Sequence, residues 1–236
     1  MLSRRMFCGC ASAALWSGLV STGAKAESTA CAVITRESQH AKTPADVLAR
    51  LEAGNARFVA GNIVQCDLMQ QVKATASGQA PVAAIVGCID SRVPPELVFD
   101  QKIGDIFCAR IAGNFVNTDI IGSLEFATVL SGARAIVVLG HSECGAVKGA
   151  IDNAKLGNLT ATLANIRPAV KATKTTGERN SKNAAFVQAV AEKNVRLTVA
   201  ALNERSPAMR KLVAAGDLKI VGAMHDVATG KVVWLT

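Results

Sequence analysis

Short apolar runs alternate along the chain with segments in which apolar residues recur at helical spacing. Three of the runs are apolar nearly throughout, which predicts strands that are buried on both faces of a sheet. A fourth run leads through a Thr229-Gly230 turn to a final edge strand. The predicted strands span 81–87, 105–111, 135–140 and 219–225, with the edge strand between 226 and 235.

Helical segments separate these strands. The first begins where Thr43 can act as N-cap and Pro44 occupies the first helical position. The predicted helices span 43–60, 69–77, 118–131, 184–203 and 210–215, and 155–182 is expected to hold helix and linker. Strands that alternate with helices build mostly parallel sheets. The sequence therefore predicts a three-layer α/β domain with a mostly parallel central β-sheet, an antiparallel edge extension and helices on both faces.

The first 26 residues have the parts of a secretory signal peptide. Arg4 and Arg5 precede an apolar stretch over about 8–20, and Ala24-Lys25-Ala26 has the small-x-small form of a cleavage site. An apolar stretch of roughly 13 residues is shorter than the roughly 20 that span a bilayer, so we expect a cleaved signal and no stable membrane anchor. An apolar helix packed on the domain is the alternative.

The paired arginines resemble a twin-arginine signal, which exports folded proteins. This resemblance predicts a periplasmic protein that is exported after folding. Residues 27–42 are polar and aperiodic, so we expect an extended or loosely held arm, and we assign residues 43–236 to the domain.

The charge of the chain is a weak guide to its partners. The formal net charge is +8, but only 4% of residues are aromatic and tyrosine is absent, so the chain has few side chains that could stack on nucleic-acid bases. Loss of residues 1–26 leaves 23 basic against 18 acidic side chains. We therefore expect no nucleic-acid partner.

Five cysteines follow the predicted cleavage site, an odd number that makes a poor disulfide framework in an oxidising compartment. Some of these thiols are therefore expected to have another role. A Cys31–Cys66 disulfide would tie the arm to the first helices, and the sequence leaves this pairing open. Cys108 lies within a predicted strand and is expected to be a core residue.

Reactive residues follow two of the buried strands. Cys88 comes directly after one, and His141 and Cys144 follow another. Sites in open parallel sheets form beyond the carboxyl ends of the strands, so these three side chains are predicted to meet in one crevice. Two thiolates and one imidazole favour zinc, and three protein ligands are typical of a catalytic site with one open position. Taken singly, each residue would be an ordinary buried cysteine or histidine.

The pattern Cys-x-Asp-x-Arg over 88–92, followed by His-x-x-Cys-Gly over 141–145, resembles the β-class carbonic anhydrases. The segments 104–107 and 110–114 between these motifs strengthen the resemblance, which extends from about Pro44 to Trp234. It implies one Zn²⁺ per chain on Cys88, His141 and Cys144. It also implies reversible hydration of carbon dioxide to bicarbonate. Hydrolysis of carbonyl sulfide or carbon disulfide on the same site, and a catalytically silent zinc- or bicarbonate-binding protein, are the alternatives.

Two further residues complete the predicted chemistry. Asp90 can accept the proton of the nucleophile and turn its lone pair towards carbon dioxide, while Arg92 holds Asp90 by a bidentate pair. As in the family, Asp90 could instead move onto zinc as a fourth ligand. A helix N-cap at Asp90 or Ser91, with Arg92 on the surface, is the structural alternative.

The resemblance also implies substrate contacts and a homodimer or tetramer in which the partner supplies part of the pocket. The predicted substrate-binding residues are Gln79, Phe107, Ala112, Gly113, Gly145 and Phe126. Phe126 stands where many members carry tyrosine, and this chain has no tyrosine, so we expect no non-catalytic bicarbonate site. His225 is expected to pack rather than to transfer protons.

Overall fold

The computed structural model describes residues 31–235, so the predicted signal peptide lies outside the described residues. A five-stranded sheet with strand order β2-β1-β3-β4-β5 forms the centre. Strands β1 to β4 are parallel, and β5 pairs with β4 in the antiparallel direction. The strands are β1 (Ala83–Gly87), β2 (Ile106–Arg110), β3 (Ala135–His141), β4 (Lys219–His225) and β5 (Val232–Leu235). The predicted fold class is confirmed.

Helices cover both faces of the sheet, and each face has its own apolar core. One core lies beneath α2 (Pro44–Val59) and α4 (Pro95–Val98), and the other lies beneath the helices between residues 118 and 214. The helices are α1 (Arg36–His40), α2 (Pro44–Val59), α3 (Leu68–Thr75), α4 (Pro95–Val98), α5 (Thr118–Glu125), α6 (Gly145–Ile151), α7 (Leu159–Ala164), α8 (Arg167–Ala172), α9 (Ala184–Arg205) and α10 (Pro207–Ala214). Among residues 31–235, no helix combines the length and apolar character needed to cross a membrane.

The long helix α9 lies unusually close to the sheet. A Cβ atom at Gly140 on β3 would lie 2.6 Å from Val195, and one at Gly222 on β4 would lie 2.7 Å from the same side chain. Glycine at both positions therefore lets Val195 pack directly on the two strands. This close approach fixes α9 relative to the strand that ends in His141.

The arm is ordered where the structure describes it, which corrects the expectation of an extended or loosely held segment. Thr35 caps α1 in a capping box. The buried Gln39 donates through Nε2 to the carbonyl oxygens of Pro81 at 2.6 Å and Ser131 at 2.9 Å. The Cys31–Cys66 disulfide is formed. A helix with one buried polar residue has no apolar periodicity, which explains why the sequence pattern did not indicate it.

Three other departures concern short or irregular elements. The helix predicted over 118–131 is α-helical only to Glu125 and continues as a π-helix over Phe126–Leu130. Helices α4 and α6 were not predicted, because four and seven residues are too few for a periodic signal. The helix predicted over 210–215 instead begins at Pro207, and Ser206 is its N-cap.

Candidate metal centre

Three potential metal ligands meet at the carboxyl edge of the sheet, as predicted. Cys88 follows β1, His141 ends the neighbouring strand β3, and Cys144 lies at the start of α6. Their ligand atoms all lie within 4.8 Å of one another, and all three residues are buried. In the described part of the chain this is the one group of at least three such side chains that could hold a metal ion.

The imidazole of His141 is oriented for a metal. Its Nδ1 lies 2.9 Å from the carbonyl oxygen of Ser142, which makes Nδ1 the protonated nitrogen. Its Nε2 is buried and has no hydrogen-bond partner among the described residues. A buried acceptor without a partner is costly, whereas a lone pair fixed by a hydrogen bond at the other ring nitrogen suits a metal ligand. The donor set therefore fits zinc.

The two cysteines are linked electrostatically. Interaction with the neighbouring Cys144 thiol is the main reason that the pKa of Cys88 is lowered, and the same interaction raises the pKa of Cys144. The backbone N–H of Gly113 also donates to Cys88 Sγ at 3.3 Å and lowers the same pKa. The two sulfurs therefore differ in how readily they ionise, and a bound divalent cation would favour deprotonation of both.

Asp90 and Arg92 form the predicted bidentate pair. Arg92 Nε donates to Asp90 Oδ1 at 2.9 Å, and Nη2 donates to Oδ2 at 2.8 Å. These hydrogen bonds from Arg92 are the main reason that the pKa of Asp90 lies well below its usual value. Asp90 Oδ2 lies 4.0 Å from His141 Nε2, so the carboxylate borders the metal ligands while Arg92 holds it.

Arg110 supports the same loop, a role that the sequence analysis missed. It donates through Nε to the carbonyl oxygen of Cys88 at 2.8 Å and through Nη2 to that of Asp90 at 2.7 Å. Arg110 ends β2 and pairs in register with Gly87, the residue before Cys88. Its position at the carboxyl end of the neighbouring predicted strand was the signal that could have identified it.

The predicted substrate residues fall into two groups. Ala112 and Gly113 follow β2 beside Cys88, and Gly145 begins α6 beside Cys144, so the fold brings these three residues to the metal ligands. Gln79 instead precedes β1, at the opposite end of that strand from Cys88, and it is exposed. The five residues of β1 span roughly 16 Å, so Gln79 lies far from the metal ligands of its own chain.

Phe107 and Phe126 lie together at the outer edge of the sheet. Their rings make an edge-to-face contact with centroids 6.1 Å apart, and half of Phe126 is exposed. They line an open cavity of about 600 Å³ beside β2, which is an edge strand of the described sheet. A second chain placed against this edge would meet both rings.

His225 is buried beside the metal ligands, as expected for a packing residue. It pairs in register with His141 across β3 and β4. Burial is the main reason that the pKa of His225 lies below its ordinary value, which favours a neutral ring.

Known proteins share this fold and part of this sequence. The protein family described as "Carbonic anhydrase" matches residues 83–232. Carbonic anhydrase 2 of Mycobacterium tuberculosis is 36% identical over 189 residues, which are 78% of this chain and 88% of that protein. The β-carbonic anhydrase CcaA superposes with a TM-score of 0.64 at 26% identity, covering 80% of this chain and 87% of that chain. A structure from a study of two tetrameric β-carbonic anhydrases of Sordaria macrospora superposes with a TM-score of 0.60 at 25% identity, covering 71% and 90%.

Proposed function

The chain belongs to the β-carbonic anhydrase family, and we propose that it reversibly hydrates carbon dioxide to bicarbonate with one zinc ion on Cys88, His141 and Cys144. The observation that carries this proposal is the buried Cys-His-Cys cluster with the Asp90–Arg92 pair beside it. Zinc in a three-ligand site acidifies water, so that a nucleophile is available near neutral pH. Because only three side chains would hold the ion, water or substrate could also bind to it.

The side chains of the site orient the nucleophile. Asp90 is ionised and has two oxygens, and Arg92 occupies both with a planar fork. The carboxylate can therefore accept one further hydrogen bond from the nucleophile without rotating, and this bond turns the nucleophile's lone pair towards carbon dioxide. Held in this way, Asp90 is an acceptor rather than a fourth metal ligand.

The proposed active assembly is a homodimer or a tetramer. Gln79 is exposed at the end of β1 that lies away from the metal ligands, and Phe107 and Phe126 line the open edge beside β2. These positions suit residues that complete the site of a partner chain. The relative from Sordaria macrospora is described as tetrameric, which supports an oligomer here.

The proposed location is the periplasm, reached after folding by the twin-arginine route. The arginine pair and the apolar stretch that follows it support this proposal. The Cys31–Cys66 disulfide also supports it, because such bonds persist in oxidising compartments. Zinc bound before export would protect the ligand thiolates from oxidation.

Stopped-flow hydration by purified residues 27–236, with zinc quantified on the same sample, tests the activity. We expect zinc-dependent hydration that rises with pH between about 7 and 9, because hydroxide becomes more available. Carbonyl sulfide and carbon disulfide are assayed as alternative substrates of the same sample. Turnover of a sulfur substrate without hydration would favour the hydrolase, and one zinc per chain without any turnover would favour a silent binding protein.

Complementation between chains tests the role of Gln79. A Gln79→Ala chain and a Cys88→Ser chain are each expected to have little activity. In an equimolar mixture whose subunits have been dissociated and re-associated at random, half of the dimers contain both chains, and each mixed dimer has one complete site if Gln79 serves its partner. We therefore expect about a quarter of wild-type activity from the mixture, whereas activity no greater than the mean of the two variants would refute the shared site.

A further inference from the structure

Asn194 is a buried polar residue on α9 that none of the predicted functions uses. Its side chain is 3% exposed. Its Nδ2 donates to the carbonyl oxygen of Gly113 at 2.7 Å. The N–H of the same glycine donates to Cys88 Sγ at 3.3 Å. A helix on one face of the sheet is thus connected to a ligand sulfur through a single backbone residue.

The backbone around Gly113 needs to be held in place. Gly113 has φ of +86° and Asn114 has φ of +43°. Left-handed conformations are costly for residues other than glycine and persist where surrounding interactions enforce them. A Cβ atom at Gly113 would also lie 2.4 Å from Ile166, so glycine alone fits this turn. Within the turn itself, Asn114 N–H donates to the carbonyl oxygen of Ile111 at 2.9 Å.

Asn194 supplies an anchor from outside the turn, and this anchor is rigid. The next residue on α9, Val195, packs against the strands at Gly140 and Gly222, where any Cβ atom would collide with it. Gly140 directly precedes His141, so this packing also fixes the position of Asn194 relative to the imidazole ligand. The turn that faces Cys88 and the ligand His141 therefore share one support.

We propose that Asn194 is a positioning residue for the metal centre, which keeps the Gly113 N–H directed at the Cys88 sulfur. The inference rests on the zinc site of the proposed function. An N–H donor directed at a ligand sulfur helps to hold that sulfur in one place, and hydrogen bonds of this kind around metal ligands orient them for the metal. Loss of the Asn194 amide would release the turn and lengthen or break this hydrogen bond.

Metal binding by the apoprotein tests the proposal without measuring turnover. Asn194→Ala removes the donor, and Asn194→Asp keeps the shape but places an acceptor opposite the Gly113 carbonyl. Thr198→Ala is the matched control, because Thr198 lies one turn further along the same helix and is 4% exposed. Each chain is titrated with zinc against a chromophoric chelator and separately with Co²⁺, whose thiolate charge-transfer band reports on the sulfur ligands.

We expect both Asn194 variants to bind zinc about 10- to 100-fold more weakly than wild type, the usual effect of losing a supporting hydrogen bond around a metal site. Their cobalt charge-transfer band should move to longer wavelength, because a thiolate without its N–H donor gives up an electron more readily. Thr198→Ala should keep the wild-type values.

Three results would overturn the inference. A folded Asn194→Ala chain with wild-type zinc affinity and an unshifted cobalt charge-transfer band would show that the turn around Gly113 keeps its conformation without Asn194. Equal losses in Thr198→Ala would assign the effect to general packing of α9. A wild-type chain that binds neither metal would refute the proposed zinc site itself and this inference with it, so the two failures are distinguishable. Circular dichroism verifies the fold of each variant, and the isosteric Asn194→Asp serves if Asn194→Ala does not fold.

Discussion

Removal of the Cys31–Cys66 disulfide should destabilise the chain mainly through its unfolded state. The bond closes a loop of sequence separation 35, and the loop-closure entropy of such a loop corresponds to about 4 kcal/mol at 25 °C. The folded state should lose little packing when the bond is cut, because both cysteines are only partly buried. Gln39 still fixes α1 to Pro81 and Ser131 in the variant, so the native fold should persist. The expected loss in the free energy of unfolding is therefore about 2–4 kcal/mol.

Urea unfolding followed by circular dichroism measures this loss. The wild-type chain and the Cys31→Ser/Cys66→Ser double variant are compared with and without a reductant. The reductant should lower the stability of wild type to that of the variant and leave the variant unchanged. This control is needed because Cys88, Cys108 and Cys144 are free thiols that can become oxidised, and a reductant would reverse that oxidation as well.

Two outcomes would refute this reasoning. A loss below about 1 kcal/mol in the double variant would show that closing the loop does not restrict the unfolded chain as assumed. A double variant that remains sensitive to the reductant would assign the effect to the free thiols.

Three further predictions concern the metal centre. Gly113→Ala should lower the free energy of unfolding by about 1–3 kcal/mol and reduce the zinc retained per chain, because alanine is strained at φ of +86° and its methyl group would collide with Ile166. Normal thermal unfolding and full zinc content would contradict this prediction. Arg110→Met should weaken zinc retention roughly 10-fold or more in dialysis against a chelator, because the carbonyls of Cys88 and Asp90 lose their charged donor, whereas unchanged retention would show that the loop does not need Arg110. The Asp90–Arg92 pair should stabilise the apoprotein equally from about pH 5 to pH 8. The reason is that the pKa of Asp90 is lower in the folded chain than in the unfolded chain, so the stabilisation is complete above the unfolded pKa and is lost as the pH falls through the folded pKa. The difference in unfolding free energy between wild type and Asp90→Asn should therefore shrink only below about pH 4, and a change between pH 6 and 8 would be inconsistent with that pair.

The sheet and the ligand set could be predicted because both depend on strong, local signals. The two central strands β1 and β3 consist of apolar runs that are buried throughout, which requires a sheet covered on both faces. The run at 105–111 forms β2, an edge strand that is only partly buried, so the pattern predicted the strand but not its place in the sheet. Once the strands are parallel, their carboxyl ends coincide, and Cys88, His141 and Cys144 must come together. The bidentate pair of Asp90 and Arg92 follows from their spacing, since both lie on the same short loop.

The supporting residues could not be predicted because their roles depend on packing between distant segments. Arg110 acts on the loop of β1 only because β2 is its neighbour in a particular register. Asn194 is separated from Gly113 by 81 residues, and its polarity gives no sign of its partner. The ordered arm depends on Gln39, whose two acceptors lie in separate parts of the chain. Gln79 precedes β1, at the end of the strand away from Cys88, so its assignment to the site comes from the family resemblance and not from its position in this chain.

The central claim is that the Cys-His-Cys cluster holds the zinc ion on which carbon dioxide hydration depends. Its most direct test is to titrate the apoprotein, residues 27–236, with zinc and to measure the hydration rate by stopped flow at each addition. The rate should rise in proportion to zinc and stop rising at one zinc per chain, and it should stay near background throughout in a Cys144→Ser chain. Hydration by zinc-free protein, or a wild-type chain that is saturated with zinc and does not hydrate carbon dioxide at any pH from about 7 to 9, would contradict it.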